Sequence, residues 1–246
     1  MRASAIAFRL RMLIQIAIVA IGFWAPWVGA FDLGRRISTL EWLALEISRA
    51  GLFSFTVATP VVIVLGSLSA ALGAIFRIWG AAYLGYATVH DAEMQAGPLM
   101  AAGPYRYVRN PLYIGAWFMM VAISLLMPPT GALFVMVLVS VFYMRTIFSE
   151  EAFLATQLGE PYREYLRAVP RLIPRLHSAL PPAAAQPHWL VAILTEINPI
   201  GIFFTLAVLS WRYDNLLMIK SVLVSFGISL VIRALMPREQ RTPKPA

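Results

Sequence analysis

Residues 111–148 read PLYIGAWFMMVAISLLMPPTGALFVMVLVSVFYMRTIF, which is two apolar runs separated by a proline-containing turn. The runs, Pro111–Met127 and Gly131–Phe148, are joined only by Pro128, Pro129 and Thr130. Because so short a connection holds neighbouring helices antiparallel, the stretch predicts a tight helical hairpin with an uncharged tip.

The rest of the chain is similarly apolar. Of its 246 residues 60% are hydrophobic and 13% are charged, and the mean hydropathy is +0.73. Soluble domains average roughly 45–50% apolar and about 25% charged residues, so the composition predicts an integral membrane protein. The absence of cysteine excludes disulfides, thiolate metal sites, iron–sulfur clusters and cysteine nucleophiles.

Hydropathy predicts an all-α integral membrane fold with five to six transmembrane helices. The candidate spans are Met12–Ala30, Phe53–Ile75, Pro111–Met127, Gly131–Phe148, Leu190–Leu209 and Leu216–Leu235. The first could instead be a cleaved signal peptide ending at Ala30, but Trp24 and Trp27 favour a retained span with an interfacial aromatic belt.

Basic residues orient these spans. With the N-terminus inside, a six-span topology places 15 of the 20 basic residues on the inner side and 5 on the outer side. This distribution predicts that both termini are cytoplasmic. The net charge of +8 is therefore explained by membrane orientation, and no basic helix or aromatic-basic repeat indicates nucleic acid.

Three regions follow from this pattern. We predict an N-terminal transmembrane pair in residues 1–75, a core containing the helical hairpin in 76–180, and a C-terminal transmembrane pair with a basic tail in 181–246. Within the second span, Gly66, Ala70, Gly73 and Gly80 place small residues on one helix face. We interpret this face as a surface for close helix packing.

Several familiar ligand-binding signatures are missing. No two glycines are separated by a single residue, which excludes the glycine-rich dinucleotide loop and the corresponding turn of a Rossmann-type site. The histidines have no partners at metal-ligand spacing, so no metal is expected. His90 beside Asp91 is the most suggestive of them, and we interpret it as a solvated or interfacial pair.

Two polar segments flank the hairpin. The first, residues 102–115, reads AGPYRYVRNPLYIG. Gly103-Pro104 predicts a turn, Pro111 suits the first position of a helix, and Asn110 is then its N-cap. Arg109 would lie at the positive end of this helix and point toward water, as a site for an anion such as a carboxylate.

The second segment, residues 149–170, reads SEEAFLATQLGEPYREYLRAVP. Glu150 and Glu151 directly follow an apolar span, where carboxylates need partners or a polar cavity. Gly159 is a natural helix stop, and Pro161 can open the next helix. Both segments fall on the cytosolic side of the charge-based topology.

Together these segments resemble the isoprenylcysteine carboxyl methyltransferase family, which shares its motifs with the phospholipid N-methyltransferases. The resemblance covers about residues 76–175 and implies a cytosolic-side pocket, built from membrane helices, that binds S-adenosylmethionine. The cofactor-binding set it implies is Gly103, Tyr105, Arg109, Asn110, Pro111, Tyr113, Gly115, Glu150 and Glu151. Many relatives have His at the position of Asn110, which here keeps a polar cap without an imidazole.

The resemblance implies methyl transfer to a lipophilic or lipidated substrate in contact with membrane lipids. The candidate catalytic residues are Arg109, Glu150 and Glu151. A prenylcysteine-like carboxylate needs no general base, whereas a lipid amine must lose a proton, to Glu150, Glu151 or His90. The sequence leaves the two acceptors open.

Two other functions compete with this one. Membrane sterol or enal reductases that use NADPH have a similar Arg-His/Asn-Pro-x-Tyr-x-Gly stretch, but they usually follow its glycine with an acidic residue, whereas Ala116 follows here. A non-enzymatic membrane protein or transporter would use polar groups within a span, such as Glu196 and Asn198 beside Pro199. We predict that Glu196 lines a lateral substrate entrance or marks a helix kink.

Overall fold

A computed structural model describes residues 10–24, 37–84, 102–178, 180–181 and 186–235, and every regular element in these ranges is helical. The all-α class is confirmed. The α-helices are α1 (Arg11–Trp24), α2 (Thr39–Arg49), α3 (Phe55–Leu84), α4 (Pro111–Ser124), α5 (Pro129–Leu158), α6 (Glu160–Ala168), α7 (Trp189–Thr195), α8 (Ile197–Phe204) and α9 (Asn215–Leu235).

The predicted hairpin is confirmed as the pair α4–α5, with Pro111 and Pro129 in the first turns of its two helices. Helix α5 runs ten residues past the predicted span and ends at Leu158 before Gly159, whose φ of +66° suits glycine. Glu150 and Glu151 therefore belong to the same rigid helix as the hairpin.

Helix α2 covers the tip of the hairpin. The backbone N–H and the hydroxyl of Thr39 donate to the carbonyl of Met127 at 2.7 Å and 2.8 Å, and the N–H of Leu40 donates to the carbonyl of Leu125 at 2.9 Å. The first N–H groups of α2 thus satisfy carbonyls that the end of α4 leaves free. This contact places α2 at the end of the bundle opposite the two polar segments.

The small-residue face of α3 packs against α4, which confirms the packing interpretation. A Cβ at Gly73 would lie 2.9 Å from the carbonyl oxygen of Gly115, and one at Gly80 would lie 2.9 Å from a methyl carbon of Leu112. Real Cβ atoms essentially never approach other atoms so closely. Glycine at these positions brings the two backbones together.

The fifth predicted span is broken in the middle. Helices α7 and α8 meet at Glu196 with a bend of 64°, and α8 continues through a π-helical turn and a 3₁₀ turn to Arg212. The predicted kink at Glu196 is confirmed. Both halves pack against α3, and α9 packs against α8.

Within the described residues, three helices are long and apolar enough to cross a membrane, namely α3, α5 and α9, and the bent α7–α8 pair makes a fourth if it forms one span. Helices α1 and α4 are apolar but have 14 residues each, or about 21 Å at 1.5 Å per residue. The count of five to six spans stays a prediction, as does the division into three regions, whose first boundary falls inside α3.

Candidate active site

The first polar segment is folded around a 3₁₀ turn, Gly103–Arg106, that leads into α4. Gly103 has a φ of +49° and packs against the ring of Tyr83, so a side chain there would be both strained and obstructed. Asn110 is the N-cap residue of α4, as predicted, but its side chain makes no capping hydrogen bond. It is directed to Glu151 instead.

Arg109 has a buried side chain that is hydrogen-bonded to other parts of the chain. Its side chain is 9% exposed, and Nε donates to Oε1 of Glu151 at 2.9 Å. Nη1 donates to the carbonyls of Leu166 at 2.5 Å and Val169 at 2.7 Å. The expectation that Arg109 points toward water is therefore wrong. Carbonyl groups at the end of α6 accept its hydrogen bonds, and the local sequence around the start of α4 does not reveal them.

Glu151 accepts hydrogen bonds from three side chains. Besides Arg109, Nδ2 of Asn110 donates to Oε1 at 3.1 Å, and Nε and Nη2 of Arg171 donate to Oε2 at 3.0 Å and 2.8 Å. The guanidinium of Arg171 also stacks over the ring of Phe148, 4.4 Å from its centroid. Because Glu151 is 7% exposed, one buried carboxylate fixes the first polar segment and Arg171, which follows α6, to the end of α5.

Helix α6 folds back onto this network. Its buried residues Tyr162 and Tyr165 form one cluster with Val169, and the Tyr165 hydroxyl donates to the carbonyl of Tyr105 at 2.9 Å. Burial raises the pKa of Tyr105, Tyr162 and Tyr165 above the ordinary value of a tyrosine. All three therefore stay neutral at physiological pH, and the hydroxyls of Tyr105 and Tyr165 donate hydrogen bonds to backbone carbonyls.

Glu150 and Tyr113 make a separate contact beside this network. The Tyr113 hydroxyl donates to Oε1 of Glu150 at 2.6 Å, and Arg11 of α1 lies within electrostatic range of both groups. Glu150 is half-buried, in contrast to Glu151. The two adjacent carboxylates thus have different environments, one enclosed by cations and one beside a tyrosine.

An ion pair that the sequence analysis did not predict lies deeper in the bundle. Nε and Nη2 of Arg77 donate to the two carboxylate oxygens of Glu196 at 2.5 Å and 2.7 Å. The Glu196 side chain is 0% exposed, and the stem of Arg77 passes over Gly115, where a Cβ would lie 2.6 Å from Arg77 Cγ. The sequence shows Glu196 as an acid in an apolar span, but its partner lies 119 residues away in the chain.

The structure therefore brings most of the predicted residues to one end of the hairpin. Arg109, Asn110 and Glu151 share one hydrogen-bond network, and Tyr113 and Glu150 form a pair next to it. Backbone conformation and close packing are the contributions of Gly103, Pro111 and Gly115. The carbonyl of Tyr105 accepts a hydrogen bond from the Tyr165 hydroxyl. His90 and Asp91 lie outside the described residues, and the described part of the chain contains no group of three possible metal-binding side chains.

Comparisons with known proteins match parts of this chain. Residues 61–161, about two fifths of the chain, match the family model of the phospholipid methyltransferases. The family also contains the isoprenylcysteine carboxyl methyltransferases, so the resemblance carried by the two motifs is confirmed. The matched stretch contains both Arg109 and Glu151, and it also contains Arg77.

Two curated relatives match parts of the chain. The cobalt-zinc-cadmium resistance protein CzcN of Cupriavidus metallidurans is 28% identical over 119 residues, which cover 48% of this chain and 51% of that protein. The methanethiol S-methyltransferase of Crocosphaera subtropica is 37% identical over 84 residues, which cover 33% of this chain and 32% of that enzyme. The chain thus spans about half of the first relative's length and about a third of the second's. No solved structure matches it.

Proposed function

We propose that this protein is an S-adenosylmethionine-dependent membrane methyltransferase that acts on a lipophilic substrate. The observation that carries the proposal is that the matched stretch, residues 61–161, contains the first polar segment together with Glu150 and Glu151, and that Glu151 bonds to Arg109 and Asn110 at one end of the hairpin. The similarity to a methanethiol S-methyltransferase supports methyl transfer as the reaction class. The apolar helices support a membrane location.

The side chains present fit this cofactor in part. Glu150 offers a half-buried carboxylate for an ammonium or ribose hydroxyls, and Tyr105 and Tyr113 offer hydroxyl groups. Arg109 is different, because four of its five N–H groups already bond to Glu151 and to two carbonyls. We therefore propose that Arg109, Asn110 and Glu151 position the site, while Glu150, Tyr113 and Tyr105 contact the cofactor.

Methyl transfer is a reaction that a site closed to water can favour. When bound, S-adenosylmethionine supplies a methyl group on a positively charged sulfur. A lone pair of the acceptor forms the new bond to the methyl carbon as the carbon–sulfur bond breaks. The electron pair of the broken bond stays on the sulfur. Because the positive charge on sulfur disappears in this step, a site that excludes water favours it. The protein's task is to hold the two reactants in line and to keep water out.

The cofactor proposal predicts which ligand binds. Titration calorimetry of the purified protein in detergent should detect S-adenosylmethionine but not NADPH. Replacing Glu150 with glutamine should weaken the affinity for S-adenosylmethionine by about tenfold, since a charge-assisted hydrogen bond contributes roughly 1.5–3 kcal/mol. Arg163→Ala, at an exposed surface ion pair on α6, is the control and should leave the affinity unchanged. Binding of NADPH alone would favour the reductase instead.

We also propose that the site faces the cytoplasm, because a six-span topology places both polar segments on the side that carries 15 of the 20 basic residues. A single cysteine at Arg163, in α6, should then react with an impermeant maleimide only in inverted vesicles. A cysteine at Thr130, at the hairpin tip beside α2, should react only in intact cells. The reverse labelling pattern would show that the membrane orientation is the opposite of the proposed one.

A further inference from the structure

A buried hydroxyl lies beside the proposed cofactor site without a hydrogen-bond partner. Tyr143, on α5, is 3% exposed, and its hydroxyl bonds to no group among the described residues. Buried polar groups are nearly always hydrogen-bonded, because an unsatisfied one loses its hydration without compensation. Tyr143 therefore has an unused donor in the interior of the bundle.

The position of this hydroxyl links it to the motif residues. The rings of Tyr143 and Tyr113 meet edge to face with their centroids 5.6 Å apart, and Tyr113 in turn donates to Glu150. Tyr143 is thus one side chain away from the groups proposed to hold the cofactor. Its 3% exposure places it in the interior of the bundle.

Arg77 adds a second unused donor in the same place. Glu196 engages Nε and Nη2, whereas the two N–H groups on Nη1 bond to nothing within the described ranges. The Arg77 side chain is 20% exposed although it lies among α3, α4 and the α7–α8 break, and it is within electrostatic range of Tyr143 and Tyr105. The hydrogen bonds from Nε and Nη2 to Glu196 hold this guanidinium in place.

Resting on the proposed function, we infer that Arg77 and Tyr143 bind the methyl-accepting group, and that this group is an anion, a carboxylate or a thiolate. A guanidinium only donates hydrogen bonds, and the Tyr143 hydroxyl can add one more donor. An anion accepts from both, whereas the ammonium form of an amine has no lone pair to accept with and must lose a proton before it can react. The site therefore favours an acceptor that is already an anion.

The charge balance of the reaction agrees with this assignment. An ionised carboxylate or thiolate supplies the electron pair for the new bond, so its negative charge and the positive charge of the sulfonium disappear together. A carboxylate acceptor transfers no proton in this step. A thiol acceptor releases its proton to water before the step, and the positive charge of Arg77 favours that ionisation. Arg77 and Tyr143 keep the acceptor ionised and oriented.

The experiment measures transfer of a radiolabelled methyl group from S-adenosylmethionine to three acceptors: a prenylcysteine carboxylate, an alkanethiol and phosphatidylethanolamine. The carboxylate or the thiol, or both, should be methylated, and phosphatidylethanolamine should not. Tyr143→Phe removes one hydroxyl and should raise the acceptor KM by about tenfold without changing the affinity for S-adenosylmethionine. Tyr213→Phe, at an exposed turn before α9, is the matched control and should behave like the wild type.

A second variant separates binding from folding. Replacing Arg77 and Glu196 together with methionine removes both buried charges while keeping similar volumes, so the protein should fold and bind S-adenosylmethionine but show an acceptor KM raised at least tenfold. A failure to bind S-adenosylmethionine in the wild type would contradict the proposed function itself. Binding without methylation of a carboxylate or thiol, or an unchanged KM in Tyr143→Phe, would overturn the Arg77–Tyr143 site alone.

Discussion

Glu151→Ala is expected to destabilise the protein more than any other single change at the motif site. The substitution leaves the cations Arg109 and Arg171 without their shared anion, and the Arg109 guanidinium stays buried. Removing one partner of a buried ion pair typically costs about 3–5 kcal/mol, much of it from the charge that remains uncompensated. The melting temperature in detergent, measured without cofactor, should fall accordingly.

Glu160→Ala provides the control for this effect. Glu160 pairs with Arg163 and Arg167 on the exposed side of α6, where such pairs contribute about 0–1 kcal/mol because water screens them. Its melting temperature should stay close to that of the wild type. Similar losses in both variants would mean that the Glu151 network has no special role in stability.

Replacing Arg109 is expected to have the same kind of effect as replacing Glu151, and not the effect of replacing Glu150. Arg109→Ala removes four hydrogen bonds that join the start of α4 to α5 and α6, so stability and cofactor affinity should decline together. Glu150→Gln, by contrast, should reduce cofactor affinity with a small effect on melting. This difference would separate the positioning residues from those that touch the cofactor.

Glu196→Ala is the second large effect that we expect. It leaves Arg77 deep in the bundle without its bidentate partner, and the expected loss of stability is again about 3–5 kcal/mol. Adding Arg77→Met to a Glu196→Met variant should recover most of that loss, because two apolar side chains replace two charges. Thermal melting of the single and double variants measures both steps.

An exposed ion pair on the surface supplies the control for Glu196→Ala. Glu46→Ala breaks a contact between the exposed side chains of Glu46 and Arg49 at the end of α2, and it should change the melting temperature little. If the double methionine variant melted as early as Glu196→Ala, the loss would reflect packing around the α7–α8 break and not the unpaired charge.

Local features of the sequence were sufficient to predict the hairpin, the N-cap at Asn110 and the packing face of α3. Each depends on spacing within one helix or across one short turn, where geometry leaves few alternatives. Helix α2 was not predicted. Its 11 residues are too few for a span, and its place at the hairpin tip depends on carbonyls at Leu125 and Met127 that lie far away in the chain.

The ion pairs could not be predicted for a related reason. Arg109 and Glu151 are 42 residues apart, and Arg77 and Glu196 are 119 apart. Each charge has several possible partners in a helical membrane protein until the helix order in space is known. The sequence identified Arg109 and Glu151 as important but assigned both to a ligand, because it does not reveal that they meet each other.

Helix α2 has a consequence for how this protein can move. Its hydrogen bonds to Leu125 and Met127 fix the turn that joins α4 to α5, and Glu151 holds the two helices together at the other end. A pair of helices fixed at both ends resists sliding and splaying, so the hairpin behaves as a rigid frame. We propose that the motions that admit the proposed lipophilic substrate occur instead at the α7–α8 break, where the helix axis is already interrupted.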